Sequence, residues 1–201
     1  MRIILVRHGQ STANKLRIIQ GHKDYPLTEQ GEKEAEELAH QMLKDNISYN
    51  GVYSSDLTRA KRTTEILIKI LRIEVSKYDE RLREMNLGNR QGKNVNDLTE
   101  EEKQYGEKVF EEHDLKFPGG ESVNDMKNRI NESLEEIINS HDENKTILVV
   151  GHGGTLYHIL YYILNIFPEG DEWFNNCSYN EIYRESSSDK WQLKIFNNRK
   201  L

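Results

Sequence analysis

An arginine, a histidine and a glycine follow the first apolar run of the chain. Residues Ile3 to Val6 form a continuous apolar stretch that predicts a strand buried on both faces, and Arg7, His8 and Gly9 come directly after it. In open α/β sheets, ligands bind just beyond the carboxyl ends of the strands. A cation and a titratable imidazole at such a position indicate an anionic substrate, and the glycine lets the backbone approach it closely.

The same pattern occurs again late in the chain. Residues Ile147 to Val150 form another apolar run, and His152 follows two residues after its end. If the two strands are neighbours, His8 and His152 face each other across a single crevice. Arg59 opens a predicted helix directly after a third strand, so its guanidinium can reach the same crevice, where a helix N-terminus also favours an anion. Together with Arg7, these residues predict a phosphate pocket.

Strands must alternate with helices to place these residues together, and the sequence shows that alternation. It predicts an α/β fold, a three-layer αβα sandwich with a mostly parallel central sheet. Thr28 and Ser122 are predicted helix caps, because each precedes apolar residues at helical spacing. The other predicted elements are a polar loop at 12–25, strands at 52–53, 73–75, 179–183 and 191–196, and helices at 59–71, 97–104 and 156–163.

The periodicity fades between Asp79 and Glu121, where charged residues, glycine and asparagine dominate. We predict that this segment is an excursion over the edge of the sheet, within a single domain that spans residues 1–201. A chain of 201 residues is long enough for one full α/β core and too short for two comfortable ones. The length of the excursion is typical of a functional lid or wall.

Composition restricts the partners and the compartment. The formal net charge is −6 and no dense run of lysine or arginine occurs, which predicts neither a nucleic-acid surface nor a membrane-binding face. An anionic substrate must therefore be held by a local cationic pocket. The single cysteine, Cys177, excludes an intrachain disulfide and fits a reducing compartment. No apolar run approaches the length of a membrane span, so we expect a cytoplasmic protein.

Two other chemistries find little support in the sequence. No His-Glu-x-x-His or Asp-x-His spacing occurs, and two arginines in the pocket would repel a divalent cation, so we expect no metal and no cofactor. The segment 173–177 supplies no base beside Cys177, which argues against a thiol nucleophile. The remaining histidines that we expect to be surface or packing residues are His22, His113, His141 and His158.

Four motifs resemble the signatures of the histidine phosphatase superfamily, also called the phosphoglycerate-mutase-like group. They are Arg7-His8-Gly9, Ser-Ser-Asp-Leu-Thr-Arg-Ala at 54–60, Arg-Glu-Met-Asn-Leu-Gly at 83–88 and Gly-His-Gly at 151–153. The segments 26–31 and 117–122 are similar to flanking signatures of the same family. The motifs occur in the expected order, and the resemblance covers residues 1 to about 155.

The resemblance implies a role for each matching residue. His8 matches the nucleophile, which attacks phosphorus and forms a phosphohistidine. Arg7, Arg59 and His152 match the residues that hold the phosphoryl oxygens, a task that needs positioning and charge rather than a metal. Glu84 matches the proton donor to the leaving alkoxide, so it must carry a proton when the reaction begins. Residues that fall where the family lines the pocket are Asn14, Gln20, Gly21 and Gly153.

The resemblance leaves the branch of the family open. Mutases usually carry longer insertions around the pocket, whereas this chain is short and the lysines of its excursion are scattered. We therefore expect a metal-independent phosphomonoesterase for small phosphorylated metabolites, either broad in specificity or similar to the α-ribazole-phosphate phosphatases. The alternatives are a cofactor-dependent phosphoglycerate mutase and a non-catalytic phospho-ligand binding module. The closing segment could form the edge of a homodimer or simply complete the sheet.

Overall fold

A seven-stranded sheet runs through the computed structural model, which describes residues 1–166 and 173–201. Its strands are β1 (Arg2–Arg7), β2 (Gly51–Ser54), β3 (Lys77–Tyr78), β4 (Thr146–Gly151), β5 (Tyr179–Tyr183), β6 (Gln192–Phe196) and β7 (Arg199–Lys200). The order across the sheet is β3-β2-β4-β1-β5-β6-β7. The pairs from β3 to β1 are parallel and those from β1 to β7 are antiparallel. The predicted α/β fold with a mostly parallel sheet is confirmed.

Helices follow the strands as the predicted alternation requires. They are α1 (Thr12–Leu16), α2 (Glu29–Lys44), α3 (Thr58–Leu71), α4 (Glu100–Glu111), α5 (Val123–Asn139) and α6 (Gly153–Tyr157), and α6 continues as a π-helical segment at His158–Ile163. Thr28 caps α2 and Ser122 caps α5, each through a side-chain oxygen that accepts a backbone N–H of the first turn. Among the described residues, no helix is long and apolar enough to cross a membrane.

Alternate residues of β1 pack against different helices. Ile3 and Leu5 belong to one buried cluster with residues of α5 and α6, whereas Ile4 and Val6 belong to another with residues of α2 and α3. All four side chains are completely buried. Because both faces of the sheet are covered at its centre, the inner residues of β1 and β4 are continuously apolar, and the molecule has three layers.

The register of β1 and β4 brings their carboxyl ends together. Val6 pairs with Val150 and Arg7 pairs with Gly151. The N–H of His8 then donates to the carbonyl oxygen of Gly151 at 3.0 Å. His8 and His152 therefore leave the sheet at the same end and from adjacent strands.

Two predicted elements were misplaced. The strand predicted at Ile73–Val75 is wrong, because the residues that pair with β2 are Lys77 and Tyr78. Ile73 and Val75 instead pack against the buried cluster beneath α2 and α3, so their alternation reflects burial rather than strand pairing. The helix predicted near 97–104 begins and ends later, as α4, because Thr99 forms a capping box with Glu102.

Two other segments also differ from the prediction. The segment 12–25 is not wholly loop, since Ser11 caps the short helix α1 and forms a capping box with Asn14. The helix predicted over 156–163 widens into the π-helical segment after Tyr157. An apolar pattern at helical spacing does not distinguish these two windings, because both bury one face.

The segment 79–121 contributes to the core as well as to the surface. Besides α4 it contains short 3₁₀ turns at Glu80–Leu82, Gly88–Arg90 and Val95–Asp97. Leu82, Val109 and Phe117 are buried in the same cluster as α5. This packing holds the loop between the first two turns, which carries Glu84, against the end of the sheet.

Candidate active site

His8 is buried at the end of β1, and its ring is held in one tautomer. Its Nδ1 lies 2.7 Å from the carbonyl oxygen of Gly9. A carbonyl oxygen only accepts hydrogen bonds, so Nδ1 carries the proton of the neutral ring and Nε2 keeps its lone pair. The loop is fixed by Thr63 Oγ1, which accepts the N–H of Gly9 at 3.1 Å, and by Asn176 Nδ2, which donates to the His8 carbonyl at 2.9 Å.

The surroundings of His8 keep its ring neutral. Burial lowers the pKa of His8 well below the usual value of an imidazole, and the nearby guanidinium groups of Arg59 and Arg7 lower it further. A neutral imidazole with a free nitrogen lone pair is a nucleophile, whereas an imidazolium is not. His8 therefore satisfies the electronic requirement for attack on an electrophilic phosphorus at neutral pH.

The second histidine lies against the first. The ring centroids of His8 and His152 are 5.2 Å apart and their planes meet at 61°. Burial lowers the pKa of His152 well below its ordinary value, with Arg59 as the next cause. Its Nε2 lies 2.8 Å from Ser55 Oγ, at the end of β2. When Ser55 donates this hydrogen bond, the proton of the neutral His152 ring is on Nδ1.

Two arginines, of which Arg59 is buried and Arg7 is half-buried, complete the end of the sheet. Arg59, in the first turn of α3, is only 1% exposed and donates through Nη2 to the carbonyl of Gly21 at 2.8 Å. Arg7 donates through Nη1 to the carbonyl of Phe174 at 2.5 Å. Burial lowers the pKa of Arg59 to about 10 and also lowers that of Arg7, and the charge of Glu84 opposes both shifts. Both guanidinium groups remain cationic at neutral pH.

Each residue predicted to hold phosphate keeps one buried nitrogen without a partner. Within the described residues, Nε of Arg7, Nε of Arg59 and Nδ1 of His152 are buried and make no hydrogen bond. A buried donor without a partner costs free energy, of the order of 1–3 kcal/mol, unless a ligand satisfies it. Three such nitrogens on residues around His8, two of them cationic, form a site suited to a compact oxyanion.

Glu84 approaches this cationic group from the segment 79–121. Its Oε2 accepts the N–H of Gly154 at 3.0 Å, and its Oε1 accepts the N–H of Met85 at 2.9 Å. Gly154 is required for the first contact, because a Cβ at that position would overlap with the Glu84 carboxylate. The carboxyl group is thus held beside the oxyanion site in a fixed orientation, as a proton donor must be.

The remaining predicted pocket residues divide into two groups. Gly21 and Gly153 touch the arginines. Gly21 adopts φ +54°, a left-handed conformation that favours glycine, and its carbonyl accepts from Arg59, while a Cβ on Gly153 would lie 3.5 Å from Arg7 Nε. Asn14 and Gln20 instead contact Ser11. Asn14 Oδ1 accepts the N–H of Ser11 at 3.0 Å, and Gln20 Oε1 lies 2.8 Å from Ser11 Oγ.

Arg129 of α5 is a functional residue that the sequence reasoning missed. Its Nη1 donates to the carbonyls of Arg81 and Arg83 at 2.7 and 2.8 Å, and its Nη2 donates to that of Glu84 at 2.9 Å. Glu121 accepts two further hydrogen bonds from the same guanidinium. Arg129 therefore fixes the backbone that carries Glu84. Ser55 was also missed, although its position directly after β2 follows the same rule that singled out His8.

The side chain of His22 is partly exposed beside Glu121, as expected of a surface or packing residue. Its Nε2 is 3.9 Å from Glu121 Oε1, and burial followed by the charge of Arg129 lowers its pKa. Cys177 is buried, and burial raises the pKa of its thiol, which leaves it protonated. In the described part of the chain, no group of three or more His, Cys, Asp or Glu side chains could hold a metal ion.

Similarity to known proteins extends over most of the chain. The family model described as "Histidine phosphatase superfamily (branch 1)" matches residues 3–199. A protein of Escherichia coli O1:K1 named "Probable phosphoglycerate mutase GpmB" is 34% identical over 190 residues, which cover 92% of this chain and 86% of that protein.

Solved structures provide a second comparison. A mycobacterial glucosyl-3-phosphoglycerate phosphatase superposes with a TM-score of 0.82 at 28% identity, covering 98% of this chain and 99% of that one. An α-ribazole phosphatase from Shigella flexneri superposes with a TM-score of 0.81 at 24% identity, covering 98% and 96% of the two chains. At that identity the second likeness shows the fold alone.

Proposed function

The chain belongs to the histidine phosphatase superfamily (branch 1), and on that basis we propose that it is a phosphoric monoester hydrolase. It acts on small phosphorylated metabolites, through a phosphohistidine formed on His8 and without a metal. The observation that carries the proposal is the neutral, buried imidazole of His8, beside the guanidinium groups of Arg59 and Arg7 and three buried nitrogens that have no partner among the described residues.

The reaction divides into two displacements. In the first, the Nε2 lone pair of His8 forms a bond to phosphorus while the bond from phosphorus to the ester oxygen breaks, and Glu84 gives its proton to the leaving alkoxide. In the second, water attacks phosphorus while the bond from phosphorus to Nε2 of His8 breaks, Glu84 takes a proton from that water, and inorganic phosphate leaves the neutral imidazole. The dianionic phosphate brings negative charge beside Glu84, which favours the protonated acid that the first step needs.

The other groups stabilise charge that moves during both steps. Arg7 and Arg59 donate to the equatorial phosphoryl oxygens, and His152 donates through Nδ1 when Ser55 occupies its Nε2. Phosphoryl transfer depends mainly on positioning and charge, so preformed donors in a buried site supply most of what the protein must add.

A phosphoglycerate mutase is the second candidate, because the Escherichia coli relative at 34% identity is named as one. A mutase must hold a bisphosphate and protect the phosphohistidine from water. The cavity that adjoins Glu84 favours the phosphatase, because none of the described residues that line it is a lysine or an arginine that could bind a second acidic group. The substrate range is either broad or close to that of the α-ribazole-phosphate phosphatases. We also place the enzyme in the cytoplasm, consistent with its single, free cysteine.

Hydrolysis of p-nitrophenyl phosphate in excess chelator tests the proposal. We expect turnover to persist, and a rapid quench in alkaline denaturant to recover phosphate bound to His8, because the P–N bond of a phosphohistidine survives alkali but is cleaved in acid. Activity that chelation abolishes and a divalent ion restores would overturn the phosphohistidine scheme. Incubation with 3-phosphoglycerate and a bisphosphate primer separates the two candidates, since isomerisation faster than phosphate release identifies a mutase. Phosphate binding without turnover identifies a binding module.

A further inference from the structure

An apolar cavity of about 440 Å³ opens directly beside the proposed proton donor. Glu84 and Gly154 form its inner end, next to the phosphate site. Its volume lies within the range of small-molecule sites, roughly 300–1,000 Å³. The proposed chemistry does not by itself account for this space, because His8, Arg7 and Arg59 are not among the described residues that line it.

The walls of the cavity are aromatic and aliphatic. Tyr157, Tyr162, Trp173 and Phe110 line it together with methionine, leucine and valine side chains. Tyr157 and Trp173 stack with their ring centroids 5.1 Å apart and their planes at 24°. Phe110, Tyr162 and Trp173 are exposed, although large apolar side chains usually avoid water. Several exposed aromatic side chains around one opening indicate a binding site for an apolar group.

The described walls of the cavity carry no lysine or arginine. His158 also lines the cavity, but burial lowers its pKa to about 4, so it is neutral at neutral pH. A carboxylate or second phosphate that entered would lose hydration without gaining a counter-ion.

One residue of the cavity wall, His158, carries a neutral polar atom without a partner among the described residues. Nδ1 of His158 is buried and makes no hydrogen bond among the described residues, and the side chain as a whole is 4% exposed. A buried polar atom of this kind is satisfied when a ligand presents a hydroxyl, an amide or a ring nitrogen. The cavity therefore suits a group that is mainly aromatic and carries an uncharged polar atom.

We propose that this cavity binds the alcohol part of the substrate, and that the natural substrates are phosphomonoesters of alcohols bearing an aromatic or similarly large apolar group. The inference rests on the proposed function, because Glu84 protonates the leaving oxygen and the alcohol must then lie on the Glu84 side of phosphorus. An acidic alcohol part, such as glycerate, is disfavoured by the same walls.

Three primary alkyl phosphates test the inference, because their leaving oxygens are of similar basicity. They are 3-phenylpropyl phosphate, glycerol 3-phosphate and 3-phosphoglycerate. We expect kcat/KM to fall in that order, with a difference of at least about tenfold between the first and the last, mostly in KM. If 3-phosphoglycerate is hydrolysed as efficiently as 3-phenylpropyl phosphate, the inference is wrong while the proposed function stands.

Substitutions that add an arginine inside or outside the cavity test whether its uncharged wall sets the substrate preference. Phe110→Arg should lower the preference for 3-phenylpropyl phosphate over 3-phosphoglycerate by about tenfold, because it removes an aromatic contact and supplies a counter-ion. Leu43→Arg adds the same charge at an exposed apolar residue of α2 that does not line the cavity, and should leave the preference unchanged. Trp173→Arg serves if Phe110→Arg does not fold. An unchanged preference in a folded cavity variant contradicts the inference.

Calorimetric binding to the His8→Ala variant separates failure of the inference from failure of the proposed function. Binding needs no turnover, so it can be measured even if the wild-type enzyme hydrolyses none of the three esters. Tighter binding of 3-phenylpropyl phosphate than of 3-phosphoglycerate supports the cavity assignment in either case. Equal or weaker binding overturns it.

Discussion

The main-chain N–H of Gly154 donates a hydrogen bond to Glu84 Oε2 at 3.0 Å, and this contact joins the first turn of α6 to the segment 79–121. His152, the N-cap of the same helix, lies against His8, and Gly154 itself lines the apolar cavity. The orientation of the proposed acid is therefore set by the same helix start that positions the second imidazole. We expect a displacement of this helix start to change both the phosphate site and the proton donor.

Replacing Glu84 tests its role as an acid. Glu84→Gln keeps the size of the side chain but has no proton to give, so alkyl phosphates should lose about a hundredfold or more in kcat. Loss on p-nitrophenyl phosphate should be much smaller, because p-nitrophenolate leaves without protonation. Glu80→Gln, in the same segment and with a largely exposed side chain, is the control. Equal losses on both substrates would argue against an acid role.

Gly154→Ala tests the close approach to Glu84. The new Cβ overlaps with the Glu84 carboxylate, so the acid must move and activity on alkyl phosphates should fall by about tenfold or more. Gly151→Ala is a matched control, because its Cβ would meet its nearest atoms at an ordinary 3.8 Å and should leave activity near wild type. Steady-state kinetics on both variants decide the matter. If the two variants behave alike, the packing at Gly154 is not what orients the acid.

Arg129→Lys tests a residue that acts through Glu84 rather than on substrate. An ammonium group cannot reach three carbonyls and both oxygens of Glu121 at once, so we expect a loss of about 1–3 kcal/mol in the free energy of unfolding. The same variant should slow alkyl phosphates more than p-nitrophenyl phosphate, as Glu84→Gln does. Arg62→Lys, which is half-exposed on α3, should change the free energy of unfolding by less than about 0.5 kcal/mol. If Arg129→Lys is destabilised but slows alkyl phosphates and p-nitrophenyl phosphate equally, Arg129 has a structural role only.

The strands that carry His8 and His152, and the starts of two helices, could be predicted from sequence because they depend on local signals. The apolar runs before His8 and His152 predict buried parallel strands, and Thr28 and Ser122 have the residue types that cap helices. Pairing of the two strands then brings the histidines together without further information. The seven-stranded order, by contrast, depends on contacts between distant segments.

Other parts of the site could not be predicted because their role exists only in three dimensions. Arg129 is one of several charged residues on α5, and no local pattern separates it from Lys127. Its partners are carbonyl groups, which every residue has. The alternation at Ile73 and Val75 is equally ambiguous, since packing against α2 and α3 produces the same pattern as strand pairing.

His8→Ala tests the nucleophile. Without the imidazole no phosphohistidine can form, so turnover of p-nitrophenyl phosphate should fall by about a thousandfold or more. The free energy of unfolding and the circular dichroism spectrum should show that the variant still folds. His40→Ala, an exposed histidine on α2, should retain wild-type activity. Retention of most activity in His8→Ala would mean that the nucleophile is a different residue.

The stability of the protein should depend on pH through its buried neutral histidines. Burial, with smaller contributions from Arg129 and neighbouring groups, lowers the pKa of His158 from 6.5 to about 4. Between these values the unfolded chain binds a proton that the folded chain does not, so stability is highest above pH 6.5 and falls as the pH decreases. His8 and His152 act with the same sign, since burial lowers the pKa of both.

His158→Gln isolates the contribution of His158 to the pH dependence of stability, because it replaces the buried imidazole with a group that does not titrate. At pH 5.5 the share of His158 should be about 1.4 kcal/mol, so the loss of unfolding free energy between pH 7.5 and pH 5.5 should be smaller in the variant by about that amount. Urea denaturation at the two pH values measures it. His40→Gln, whose wild-type side chain is exposed, should keep the full wild-type loss. If His158→Gln also keeps the full loss, the ring of His158 gains its proton in the folded state. The cavity would then carry a positive charge at that pH. Such a charge would attract acidic substrates, which the cavity is expected to bind weakly.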